Sequence, residues 1–82
     1  MKQIEWAPQA RVDLCHLDRM IAQRVFRAVD RFAQAGQGDV QRLHGPADEF
    51  RLRVGDWRVR FTLEEPEIMR ILRVRHRSQA YR

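Results

Sequence analysis

The sequence predicts an α+β fold, ordered β-α-α-β-β-β, with two N-terminal helices packed on one face of a small, mainly antiparallel sheet. Three observations carry that expectation. Apolar residues alternate with arginines from Phe50 to Phe61, a Gly55-Asp56 pair interrupts the alternation, and apolar residues between Ala10 and Phe32 recur at helical spacing.

Lys2 to Trp6 (KQIEW) reads as a first strand. Ala7-Pro8 opens a helix, since proline is tolerated in the first turn, where its missing N–H would be unpaired anyway. Ala10, Leu14 and Leu17 fall on one side of it. Asp18 suits the N-cap of a second helix, whose Ile21, Val25, Ala28, Val29 and Phe32 form an apolar stripe opposite Arg19, Gln23, Arg24, Arg27 and Arg31. Gly36 and Gly38 end this helix, and residues 39–48 read as a connector with Leu43-His44-Gly45-Pro46 as its turn chemistry.

A two-residue Gly55-Asp56 loop places Val54 opposite Trp57, Leu52 opposite Val59 and Phe50 opposite Phe61, giving one apolar face. The helical stripe needs such a partner. A third strand, Ile68 to Arg75, follows the turn Glu64-Glu65-Pro66-Glu67. With four residues in that turn, Leu63 pairs with Ile68, Val59 with Leu72, Trp57 with Val74 and Arg58 with Arg73. The open face then carries Arg51, Arg53, Arg58, Arg60, Arg73 and Arg75, while Arg70 points awkwardly to the apolar side. Like charges opposed across a sheet repel, so an anion lying over this face is the expected compensation.

The 82 residues form a single domain, residues 1–82, with 44% apolar content and a net charge of +5. The whole excess lies beyond residue 49, where nine arginines face Asp56, Glu64, Glu65 and Glu67. Arginine supplies a planar fork for phosphate and a stacking plane for bases. A lone cysteine, Cys15, excludes an internal disulfide and a cysteine-based zinc site, and fits a cytoplasmic setting. No apolar run is long enough to span a membrane, and MKQIEWAP lacks the features of a signal peptide.

The order of elements, with LHGPADEFRLRVGDWRVRF followed by ILRVRHRSQAYR, resembles the RelE/ParE superfamily of toxins from type II toxin-antitoxin pairs, and its RelE branch more than its ParE branch. The resemblance implies a ribosome-dependent mRNA endonuclease that uses neither metal nor cofactor and arrests translation. Its partners would be a cognate antitoxin protein, the ribosome and mRNA. By position, Arg58 and Arg75 resemble the arginines that hold the scissile phosphate, and Tyr81 resembles a tyrosine near the scissile nucleotide. Arg51 and Arg53 stand where the founding member has lysines, and arginine stays protonated, so both are expected to bind RNA without taking a proton. Arg60, Arg73 and Arg77 extend the RNA-binding set. Candidate bases are His76, Asp48, Glu49 and Tyr81. A ParE-like inhibitor of DNA gyrase and an RNA-binding relic without catalysis are the alternatives.

Overall fold

The computed structural model describes residues 1–45 and 48–80. Its elements are β1 (Gln3–Trp6), α1 (Pro8–Cys15), α2 (Arg19–Ala35), β2 (Asp39–Arg42), β3 (Glu49–Val54), β4 (Trp57–Glu64), β5 (Ile68–His76) and a short α3 (Arg77–Ala80). The strands form one sheet in the order β1-β5-β4-β3-β2. Among the described strands the β1–β5 pair is parallel and the other three pairs are antiparallel. The α+β architecture read from the sequence therefore stands, extended by β2 and α3.

Local chemistry sets the helix ends. Pro8 lies in the first turn of α1. The Asp18 carboxylate accepts from the Met20 N–H at 3.1 Å and caps α2. At the other end Gly36 adopts φ 70°, a left-handed conformation suited to glycine, and its N–H reaches the Phe32 carbonyl at 2.8 Å. The stripe of α2 sinks Val25, Val29 and Ala33 completely into the core, where they meet Leu52, Val59, Phe61, Met69, Ile71 and Val74 from the sheet. Phe61 sits between Phe32 and Phe50, with ring centroids 5.3 and 5.5 Å away.

The β3–β4 hairpin has the expected register, Val54 with Trp57, Leu52 with Val59 and Phe50 with Phe61. Gly55 supplies the positive φ of its loop, at 59°.

Two expectations are corrected. The first concerns residues 39–42, read as connector: they form β2, with Val40 beside Leu52 and Asp39 beside Arg53. Four residues with a single apolar member give almost no periodic signal, and the strand is held instead by pairing to β3. The second concerns the β4–β5 register. Glu64 pairs with Ile68, so three residues, not four, lie in the turn, and Leu72 is an extra residue between the Phe61–Ile71 and Arg60–Arg73 pairs. Met69 and Ile71 are thereby buried and Arg70 lies on the open face. Beyond the bulge Val74 returns to the core, and Arg58 pairs with Arg75 in place of Arg73. The consecutive apolar pair Ile71-Leu72 marks the place in the sequence where alternation changes phase.

Phe61→Ala should lower unfolding stability in urea by about 3–5 kcal/mol, the cost of a large cavity in a packed core. Phe26→Ala, at a ring 49% exposed, should cost less than half as much, and similar losses would contradict this placement of the core.

Candidate functional site

Pairing across the sheet sorts the open face into rows. Nearest the hairpin runs Asp39, Arg53, Arg58 and Arg75; next come Gln41, Arg51, Arg60 and Arg73; then Glu49, Thr62, Arg70 and Glu5. All six arginines expected on this face are brought together by that register. The third row is acidic at both ends, so positive charge is concentrated in the half of the sheet nearest Gly55-Asp56.

Most of these guanidinium groups already have partners. Arg60 pairs with Glu49. Arg53 lies 3.6 Å from Asp39, an exposed pair that contributes little to stability. Arg51 donates to the Gln41 side-chain oxygen at 2.6 Å. Arg70 bridges Glu5 and Glu64 at 3.0 and 3.2 Å, which resolves its awkward assignment to the apolar side. The repulsion between facing arginines is thus relieved largely by carboxylates at the sheet margins, and a bound anion is not needed to explain it.

Arg58 is the one buried charged residue among those described, with 6% of its surface exposed. Its Nη1 donates to the carbonyls of Gly55 and Trp57 at 2.8 and 3.0 Å, fastening the loop, while its Nε–H has no partner among the described residues. Arg75, half-buried beside it, makes no ion pair or hydrogen bond among the described residues. Among the described residues, this pair combines a fixed charge with one that has no partner.

Arg73 is held differently. Asp13 of α1 accepts from its Nε at 2.9 Å and its Nη2 at 3.3 Å, and from the Val74 N–H at 2.8 Å. β1 covers β5 only as far as Ile71, so the Val74 N–H belongs to an otherwise open strand edge, and the carboxylate satisfies it. Burial pushes the Asp13 carboxyl up, but hydrogen bonds from Arg73, the Val74 N–H and Gln9, with the charge of Arg73, outweigh burial and hold it below its ordinary value of 3.8. Sequence reasoning missed Asp13. Only its place among the apolar residues of α1 hints at a role, since its partners lie sixty residues away.

The proposed bases are scattered. His76 pairs with Trp57 on the apolar side of the sheet; its ring lies edge-on to the indole at 5.2 Å, and its Nδ1 meets the Ser78 hydroxyl at 3.0 Å. The structure therefore does not bring His76 to the Arg58–Arg75 face. Asp48 is paired with Arg42, and Glu49 with Arg60. Arg77 extends from α3 toward Asp56, 3.7 Å away, and its N–H donates to the Asp56 carbonyl at 2.8 Å. Tyr81, Arg82 and the turn residue Pro46 lie outside the described residues. No cluster of three or more metal-ligating side chains occurs among the described residues. Hollows lie along β1, between the helices where Trp6, Leu14, Cys15, Ala22 and Phe26 line one, and beside Glu5 and Arg70 at the end of the third row.

A five-stranded sheet of this order with two helices on one face is a fold shared with solved toxins of toxin–antitoxin pairs. Over residues 4–81 the chain matches the family described as ParE toxin of type II toxin-antitoxin system, parDE, and it belongs to that family. Its fold is similar to the archaeal RelE–RelB complex from Pyrococcus horikoshii (TM-score 0.80, 23% identity, covering 96% of this chain and 98% of that one). It is similar also to the RelBE2 toxin-antitoxin complex of Mycobacterium tuberculosis (TM-score 0.64, 25% identity, 92% and 96%). The isolated Escherichia coli RelE toxin shares the fold at 11% identity (TM-score 0.77, 99% and 92%). No curated protein sequence matches. The chain is thus a RelE/ParE superfamily toxin of a type II toxin-antitoxin system.

The Asp13 clamp has a pH signature. Because its pKa is lower in the folded state, its contribution is complete above the ordinary value of 3.8 and is lost as pH falls through the lower folded value. Asp13→Asn should cost about 1–3 kcal/mol at pH 7 in urea unfolding, as expected for a hydrogen-bonded, nearly buried charge. That gap should shrink steadily below about pH 4. A gap that stays constant to pH 2.5 would show that the charge does not matter.

Proposed function

We propose that this toxin is a ribosome-dependent mRNA endonuclease that arrests translation and is held in check by a cognate antitoxin. The observation that carries the reading is the Arg58–Arg75 pair, a buried arginine beside one that has no partner among the described residues, in a single cross-strand row on the face the helices leave open. In the reaction a ribose 2′-hydroxyl attacks the adjacent phosphorus, the 2′,3′-cyclic phosphate forms, and the 5′-oxygen leaves with a proton. Negative charge grows on the phosphoryl oxygens, and fixed positive charge preorganised there lowers the barrier. Arg75 would take that charge directly. Arg58, tied to the loop carbonyls, would hold the local potential positive. Arg51, Arg53, Arg60, Arg73 and Arg77 would steer the RNA backbone toward the pair, and no cofactor is called on.

Proton transfer is the sparse part of this site. Asp48 and Glu49 are engaged by arginines and His76 faces the apolar side, which favours Tyr81 among the sequence candidates. The hollows described are lined by neither Arg58 nor Arg75, so this part of the face gives RNA little orientation of its own, and effective molarity must come from elsewhere. A message already threaded through the ribosome supplies it, which is why the reading includes the ribosome. The antitoxin is assigned on the complexes that share this fold, and acidic side chains laid over the same rows would exclude RNA.

The match to the ParE toxin family favours one second reading, inhibition of DNA gyrase through a docking surface without acid–base chemistry.

Arg75→Ala is the informative variant, because Arg75 makes no bond within the described fold and its loss should leave stability unchanged. Primer extension on a defined transcript after induction should show cleavage lowered by 100-fold or more, the scale of a lost charge-stabilising donor. Arg58→Ala should abolish cleavage too, but with a stability loss of about 1.5–3 kcal/mol from its broken charged hydrogen bonds. Intact messages under induced wild-type toxin, with DNA damage signalling switched on, would favour the gyrase reading.

A further inference from the structure

We propose that Asp13 is a positioning residue for the cleavage site, holding the far half of β5 in the phase that sets Arg75 beside Arg58. This inference rests on the endonuclease reading for its kinetic consequence, while its structural half stands independently. Three facts converge on it. The bulge at Leu72 moves the β4–β5 register by one residue, and only after that step do Arg73 and Arg75 face outward with Val74 inward. Beyond Ile71, no strand among the described residues lies on the outer side of β5, so that half is paired with β4 alone. There the Asp13 carboxylate, 10% exposed, grips both the Val74 N–H and the Arg73 guanidinium.

A one-residue bulge beside an unpaired edge is a place where register can slip, and a slip by one residue inverts which side chains face out. Asp13 opposes the slip through two neighbouring residues at once. The amide bond fixes the backbone of Val74 and the guanidinium bonds keep Arg73 on its side of the sheet. Arg75 follows from the strand's alternation, since it lies on the same side as Arg73 two residues on. Asp13 itself lies in α1, so helix docking and site geometry are joined by one carboxylate.

Two measurements on folded Asp13→Ala and Asp13→Asn decide it. The first follows amide exchange and backbone shifts in the free toxin by NMR. In Asp13→Ala, Val74 to His76 should lose protection by 30-fold or more relative to wild type, while Val59 and Phe61 change by less than threefold. Uniform loss across the sheet, or no change at Val74, would overturn the proposal. The second adds purified toxin to ribosomes programmed with a defined message. The proposal expects the single-turnover rate to fall at least tenfold in Asp13→Ala, with affinity for the programmed ribosome altered less than threefold. Asp13→Asn, which keeps an acceptor for Val74, should fall in between. Unchanged rates, or rate and affinity falling together, would overturn it. Wild-type toxin inactive on programmed ribosomes would refute the endonuclease reading alone, and the exchange pattern would then decide the role of Asp13.

Discussion

Arginine facing arginine across neighbouring strands is the constraint on which the rest of this structure depends. A sheet that opposes Arg53, Arg58 and Arg75 in one row, and Arg51, Arg60 and Arg73 in the next, pays an electrostatic cost that the apolar side must outweigh. The fold reduces that cost at its margins: Asp39, Glu49 and Asp13 each draw one guanidinium outward, and the loop carbonyls hold Arg58. On the other side Leu52, Val59, Phe61, Met69, Ile71 and Val74 form a continuous apolar surface that α2 covers. Burial supplies the stability and leaves the arginine-bearing side of the sheet uncovered by α2.

This distribution has a functional consequence. Charge that is neutralised locally steers an approaching polyanion less strongly than charge that is not. Arg53, Arg60, Arg70 and Arg73 have carboxylate partners, whereas Arg75, beside Arg58 near the hairpin loop, makes no ion pair among the described residues. A face that looks uniformly basic in sequence is thereby focused on one end of the sheet.

Much of the fold was legible because period-two alternation and glycine chemistry are local. Phe50 to Phe61 specified the hairpin register, Gly55 its loop, and Asp18 and Gly36 the ends of α2. The β4–β5 register was not legible in the same way, because it depends on whether Leu72 is counted in the ladder, and the buried fit of Met69 and Ile71 decides that. β2 escaped notice because its stability comes from its neighbour. The arginines of the site could be read as a set from alternation alone. The carboxylates that compensate them could not, since Asp13 lies sixty residues from Arg73 and Asp39 belongs to β2, the strand that gave almost no periodic signal.

The proposed reading puts the bound phosphate at the Arg58–Arg75 pair near the hairpin and not over the arginine surface as a whole. The salt dependence of binding to a short single-stranded RNA tests it most directly, because each phosphate contact contributes a slope of about −0.7 in log K against log salt. Arg75→Ala should make that slope shallower by roughly 0.7, one phosphate contact, whereas Arg70→Ala, at a residue already held by Glu5 and Glu64, should leave it unchanged. Equal effects from the two substitutions, or none from Arg75→Ala, would contradict the account.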